Sequence, residues 1–216
     1  MVVAPALSIC LALLGLETLG GNILGWFLLV LGVAYPVGSV IYYFIRREPF
    51  WKSAGGGEAA REEKGDRSFW LILPGFLAVF FASPLEFMYL HLLPHAFWLE
   101  MTGLAILLFS LALRIWARAH IRGLYSGHVE VKAEHQLVQS GPYRFVRHPG
   151  YSGLVLMALG ITLGYSSLIG LLSIPILLLP GLAYRTDVEE ELLAEHFGET
   201  YRQYARRTRL LIPFIW

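Results

Sequence analysis

Long apolar runs alternate with three short polar tracts along the 216-residue chain. A helix needs roughly 20 mostly apolar residues to cross a hydrocarbon core of about 30 Å. On that measure residues 3–19, 22–45, 69–93 and 96–117 are predicted membrane-crossing helices. A fifth stretch, 151–184, would reach about 51 Å at roughly 1.5 Å per residue, too far for one crossing. "LGYSS" at 163–167, with Pro175 and Pro180, predicts a bent hairpin that goes in and returns. The pattern therefore predicts an all-α, multi-pass transmembrane helix bundle in one domain, with about four spans plus a C-terminal helical hairpin. Gly21/Gly25 and Gly160/Gly164 have small-xxx-small spacing, as in ordinary helix packing.

Composition supports a membrane protein. The chain is 56% hydrophobic and 15% charged, against about 45–50% and roughly a quarter in an average soluble domain. A net charge of +1 gives no reason to expect nucleic acid. The single cysteine, Cys10, lies in an apolar run, which excludes a disulfide framework and a CxxC metal site. The N-terminus lacks the basic start of a cleavable signal and is read as a retained first span.

The charge distribution predicts an orientation. All 17 Lys and Arg residues fall in the polar tracts 46–68, 118–150 and 185–216, or, for Arg114, in the last turn of the helix leading into one. A hairpin over 151–184 puts the three tracts on one side, and the positive-inside rule makes that side cytoplasmic. The first tract, "RREPFWKSAGGGEAAREEKGDRS", reads as a linker; its glycine triplet follows no strand, which leaves a phosphate loop without support.

Two segments carry chemical variety. In "HQLVQSGPYRFVRHPGYSG", 135–153, Gly141-Pro142 makes a turn and His148 is kept out of the helical region by Pro149. Gly150 and Gly153 allow close approach of a ligand or another backbone. Tyr143 and Tyr151 offer flat faces with a hydroxyl handle. The stretch is read in two ways: as a cradle for a planar, polar cofactor, or as an amphipathic segment whose Arg144 and Arg147 touch anionic lipid headgroups.

The second segment, "RTDVEEELLAEHFGETYRQYARR", 185–207, predicts a helix from about 186 to 197 ended by Gly198. At 100° per residue Leu192, Leu193, His196 and Phe197 form one stripe with Glu189 near its centre. Arg185 lies one turn earlier on the same face, while Glu190, Glu191 and Glu195 point away as solvated acids. A carboxylate within a packing face is costly unless paired. Glu189 and Arg185 therefore either form a structural pair or face a ligand. His91 and His95, at i,i+4 around Pro94, and the irregularly spaced His120, His128 and His135 make a poor metal set. Glu86 and Glu100 are expected at the interface near the outer face.

The two segments, in this order and separated by a hydrophobic hairpin, resemble the integral-membrane isoprenylcysteine carboxyl methyltransferases and their prokaryotic relatives. The resemblance covers residues 128–214, ending in "RTRLLIPF". It implies S-adenosylmethionine as methyl donor, held at the cytoplasmic side. His135, Gln136, Leu137 and Val138 of "HQLV", Tyr143 of "GPY", and His148, Pro149, Gly150 and Tyr151 of "HPGY" would line that cofactor. His128 joins this set, although the family often has a different polar residue there. Glu189 would hold the cofactor, and Arg185 would bind the methyl acceptor. On this reading residues 1–117 supply spans and 118–216 the catalytic portion, and the first 20 residues are dispensable.

The implied reaction is methyl transfer to the carboxylate of a lipophilic small molecule or prenylated peptide taken from membrane lipid, with no metal. Two other chemistries stay open: N-methylation of a phospholipid amine with His148 or Glu190 as base, and reduction with a nicotinamide cofactor, since membrane sterol reductases carry a similar "HP.Y.G" element. A non-enzymatic lipid-binding scaffold would explain the basic face but not the centred Glu189.

Overall fold

The computed structural model describes residues 3–18, 20–30, 33, 65–121 and 137–211. Among these, α1 (Val3–Thr18) is followed by a turn and a second helical segment, α2, over residues 24–30. Helix α3 runs over residues 65–90, as Gly65–Leu77, a wide π turn Ala78–Ala82, Ser83–Leu85 and a second π turn Glu86–Leu90. Then come α4 (Phe97–Ile121) and α5 (Pro149–Gly164). Helix α6 (Leu168–Phe197) is continuous through a π turn at Ile174–Leu178, and α7 is Glu199–Arg207. The all-α expectation holds: the described residues contain one isolated bridge and no strand.

The predicted hairpin is α5 and α6, turning at Tyr165–Ser167. Its prolines do not make the bend. Pro175 lies in the π turn and Pro180 in the helix after it; the wider ladder of a π turn absorbs a missing N–H. The helix expected from about residue 186 is thus the end of a 30-residue one. Gly198, at φ +57°, closes it as expected.

Among the described residues, three helical stretches are long and apolar enough to cross a membrane: Trp70–Leu90, Phe97–Ile121 and Leu168–Phe197. Most of the expected span 22–45 and the linker up to residue 64 lie outside the described residues. Exposed aromatics mark two levels. Trp70 and Trp116 stand near one end of α3 and α4, and Tyr89 and Trp98 near the other. Their separations along the helices are about 29 and 27 Å, close to the roughly 30 Å between membrane interfaces where such residues collect.

At the Tyr89/Trp98 level three turns come together. Thr18 Oγ1 meets the Tyr165 hydroxyl at 3.2 Å, and Asn22 Nδ2 donates to the Gly164 carbonyl at 2.6 Å. Glu86, expected at the interface, is instead only 1% exposed. It accepts from Ser167 Oγ (2.6 Å), Leu168 N (2.8 Å) and Ile169 N (2.9 Å), so it caps α6 from another helix. Glu100 accepts from Ile23 N. The opposite end gathers what is described of the second and third polar tracts.

Close backbone contact holds the helices together. A Cβ on Gly103 of α4 would lie 2.4 Å from the Gly164 nitrogen and 2.5 Å from the Gly160 oxygen of α5. Small residues at such crossings let packing replace the hydrophobic force that lipid does not supply. Around them the core comprises Leu24, Leu28, Phe80, Leu107, Ile161, Tyr165, Leu178 and Leu182.

Candidate functional site

The site lies at the Trp70/Trp116 level, where a strap over residues 141–148 meets α6 and the C-terminal tail. The strap opens with a 3-10 turn, Gly141–Arg144. Gly141 has φ +61°, and a Cβ there would come 2.5 Å from the His120 ring, so both conformation and space call for glycine. His148 follows with φ −122° and ψ 63°, outside the helical region as a residue before proline should be, and begins α5.

The tail secures the strap by backbone pairing. Arg147 N donates to the Arg209 carbonyl (2.8 Å), His148 N to that of Leu210 (3.1 Å), and Arg209 N to that of Phe145 (3.2 Å). Ser152 Oγ donates to the Leu211 carbonyl, and the Tyr204 hydroxyl donates to that of Tyr143 at 2.7 Å. Tyr143 and Pro142 are buried beneath this pairing.

Counting along α6 from Leu168, Arg185 and Glu189 lie about 26 and 32 Å up the helix, which carries them to the membrane boundary. There they meet the start of α5. The Tyr151 hydroxyl accepts from Arg185 Nε at 2.6 Å and donates to Glu189 Oε1, which Arg185 Nε also approaches at 3.2 Å. The His148 ring lies between two carboxylates, with Nδ1 3.3 Å from Glu189 Oε2 and Nε2 2.8 Å from Glu190 Oε1.

A neutral imidazole donates through one nitrogen only, so two carboxylate partners select the imidazolium. Burial acts to lower the pKa of His148, but the hydrogen bonds to Glu189 and Glu190 outweigh it and raise the group above its ordinary value. The cluster then holds three cations, Arg147, His148 and Arg185, around two anions.

Glu190 is a correction to the sequence reading, which turned it toward solvent. Its Oε1 accepts from His148 Nε2, from Arg147 Nε at 2.9 Å and from the Tyr201 hydroxyl at 2.5 Å. Burial and the bond to Glu190 push the Tyr201 pKa up, which keeps this donor protonated. Of the two readings open for Arg147, the lipid-headgroup one does not hold: the side chain points inward, giving Nη1 bonds to the carbonyls of Ala205 (2.9 Å) and Thr208 (2.7 Å). Arg144 does stay exposed, stacked over Phe145. The Leu192/Leu193/Phe197 stripe is half-buried and His196 exposed.

The structure brings together Tyr143, His148, Pro149, Gly150, Tyr151, Arg185 and Glu189 of the predicted set. Leu137 and Val138 are half-buried before the strap. His128, His135 and Gln136 lie outside the described residues. Gly153 does not open toward a ligand, because a Cβ there would strike Arg114 Cγ at 2.4 Å. Gly150 does: a Cβ there meets nothing within 4 Å. That opening lies beside the Tyr151 ring, on which the His148 ring stacks (5.7 Å, 23°), and the Glu189 carboxylate, and leaves room for a flat ligand.

Comparison with known proteins gives a consistent picture. Residues 98–200 match the family described as phospholipid methyltransferase. The probable protein-S-isoprenylcysteine O-methyltransferase of Oryza sativa subsp. indica is 31% identical over 87 residues, 40% of this chain and 46% of that protein. The human protein-S-isoprenylcysteine O-methyltransferase is 34% identical over 121 residues, 55% of this chain and 42% of that one. Form B from Arabidopsis thaliana is 28% identical over 120 residues, 55% and 61% of the two. The matched part thus spans about half the length of these relatives. The solved eukaryotic intramembrane Ras methyltransferase ICMT shares the fold: a TM-score of 0.61 at 22% identity, covering 95% of this chain and 73% of that one.

Proposed function

We propose that the chain, which is similar to the integral-membrane isoprenylcysteine carboxyl methyltransferases, methylates the carboxylate of a lipophilic, isoprenylcysteine-like acceptor to give a methyl ester. The methyl donor is S-adenosylmethionine, whose sulfonium supplies an electrophilic methyl group. Tyr143, His148, Pro149, Gly150 and Tyr151 hold the donor, with Leu137, Val138 and the flanking His128, His135 and Gln136. Glu189 balances its positive charge. Arg185 binds the acceptor carboxylate through its planar guanidinium fork.

The observation that carries this reading is the occupied state of the cluster's proton acceptors. Both His148 nitrogens face carboxylates, and Glu190 Oε1 already accepts three donors. Such a site suits an acceptor that arrives ionised. The carboxylate oxygen would give its electron pair to the methyl carbon while the methyl–sulfur bond breaks with its pair going to sulfur, which leaves as a neutral thioether, and no proton would have to move. What the protein supplies is alignment and exclusion of water. The level of the site suits both reactants: the lipophilic tail enters from the side of the bundle, and the polar donor from water. Orientation of this end to the cytoplasm follows from the positive-inside rule applied to the three tracts.

The family description favours one other reading, methylation of a phospholipid amine. An ammonium must first lose a proton, and the groups named for that task, His148 and Glu190, are engaged. Transfer of labelled methyl from S-adenosylmethionine in proteoliposomes decides between them, with a prenylated cysteine analogue and phosphatidylethanolamine as acceptors and Glu189→Gln as the blank. Label released by base as methanol is the expected result. Base-stable label in the lipid selects the amine, and no binding of S-adenosylmethionine rejects both.

A further inference from the structure

We propose that Glu190, held by Tyr201 of the C-terminal helix and by Arg147, is a positioning residue: it fixes the His148 ring so that the opposite nitrogen points at Glu189 and the donor-binding strap keeps its shape. The methyl-transfer consequences rest on the function proposed above; the effect on His148 does not.

The geometry is specific. Three donors converge on one oxygen of Glu190, from the strap (Arg147 and His148) and from α7 (Tyr201). The opposite edge of the ring faces the second carboxylate, so Glu189 and Glu190, neighbours about 100° apart on α6, hold the ring from two sides. An imidazole tethered at one nitrogen can swing; tethered at both it has one orientation. Tyr201 is 2% exposed, and its ring lies edge-on to Tyr204, whose hydroxyl in turn bonds the strap at Tyr143. The tail thus reaches the strap by backbone pairing at 145–148, by the Tyr204 bond to Tyr143, by the Arg147 bonds to Ala205 and Thr208, and through Tyr201–Glu190–His148.

The charged and titratable groups around His148 are Arg185, Glu189 and Glu190 from α6, Arg147 from the strap, Tyr151 from α5 and Tyr201 from α7. Of these, Glu190 makes the shortest contact to the ring. Removing its charge leaves the imidazolium with one anionic partner instead of two, while the burial that favours the neutral ring remains.

The test follows the histidine ring itself. Titration of isotope-labelled histidine by NMR in micelles, with His148→Asn to assign the signal, requires neither donor nor acceptor. Glu190→Gln is expected to move the His148 titration to lower pH than in the unaltered protein. The alkaline limb of methyl transfer should move with it. Both Glu190→Gln and Tyr201→Phe are expected to raise KM for S-adenosylmethionine, by on the order of tenfold and several-fold respectively, while kcat at saturating donor changes less; the loss of a hydrogen bond to a charged group sets that scale. Glu190→Asp should recover part of the loss. An unmoved histidine titration in folded Glu190→Gln overturns the proposal. If that variant does not fold, an unchanged donor KM in the near-isosteric Tyr201→Phe overturns it instead. Should the chain bind no S-adenosylmethionine, the methyl-transfer reading falls, and the histidine titration alone decides the role of Glu190.

Discussion

Arg185 and Glu189 are joined twice, directly at 3.2 Å and through the Tyr151 hydroxyl, which accepts from the first and donates to the second. A structural pair and a ligand-facing pair were alternatives in the sequence. The geometry makes them one arrangement, in which a residue of α5 presets the spacing between the cation proposed to bind the acceptor and the anion proposed to bind the donor.

That arrangement predicts how three substitutions divide. Glu189→Gln should weaken donor binding, while Arg185→Ala should mainly raise KM for the acceptor. Tyr151→Phe should impair both, lowering kcat/KM by about 10–100-fold, the scale of a lost hydrogen bond to a charged group. Calorimetric titration of the donor and steady-state kinetics in the acceptor separate these effects. Equal loss of donor affinity in Glu189→Gln and Arg185→Ala would undo the division of labour.

The histidine between two carboxylates makes the site sensitive to alkali. His148 has a pKa raised above its ordinary value of about 6.5. A raised pKa means that the stabilisation by the imidazolium is fully present below that ordinary value and is lost as pH rises through the folded-state value. Donor affinity and thermal stability should therefore both decline on the alkaline side. In His148→Asn the stability profile should flatten there, with lower stability in acid. A decline of equal size in His148→Asn would assign the pH effect to another group.

The sequence disclosed the hairpin, the strap and the Arg185/Glu189 face because each is written in local order: apolar length, glycine–proline turns, and i,i+4 spacing on one helix. It concealed Glu190 because a helical wheel sees only its own helix. The donors to Glu190 stand 42, 43 and 11 residues away, on the strap and on α7. Gly198 was legible as a helix end, but nothing local says that the chain reverses there to bring Tyr201 back. Arg147 stayed open between two readings for a related reason, since a basic residue beside an apolar run can serve as an interface anchor until the tail's carbonyls are seen. Glu86 was read as an interface residue because two of its three partners are backbone N–H groups, which carry no residue signature.

Glu86 yields a prediction at the other end of the bundle. It satisfies two N–H groups of the first turn of α6 and the Ser167 hydroxyl, with Glu86 and Ser167 themselves buried. Glu86→Ala leaves those donors without their partner, at about 1–3 kcal/mol for each that finds no replacement. A fall in the unfolding midpoint in micelles is expected, while donor KM, set at the far end of α6, stays within about twofold. A large loss of donor affinity at unchanged stability would show that Glu86 has another role.

The first helix is the final test, because its packing bears on the expectation that residues 1–20 can be removed. Leu11 is 8% exposed and belongs to the core. Thr18 is 1% exposed and hydrogen-bonds the fully buried Tyr165 at the hairpin turn. Gly15 lies so close to α2 that a Cβ would fall 2.4 Å from the Leu29 nitrogen. In lipid, where transfer of apolar surface gives little, helix association depends on such contacts and on interhelical hydrogen bonds. A chain starting at residue 21 loses the bond to Tyr165, about 1 kcal/mol by itself, and the packing around Leu11 and Gly15 as well. It should unfold at a lower temperature in micelles and yield less folded protein, yet bind S-adenosylmethionine in its folded fraction, because Tyr165 and Leu29, which α1 meets, are not residues of the site. The single substitution Thr18→Val isolates the hydroxyl and should give a smaller change in the same direction. An unchanged unfolding midpoint in both would return α1 to the dispensable role the sequence assigned it.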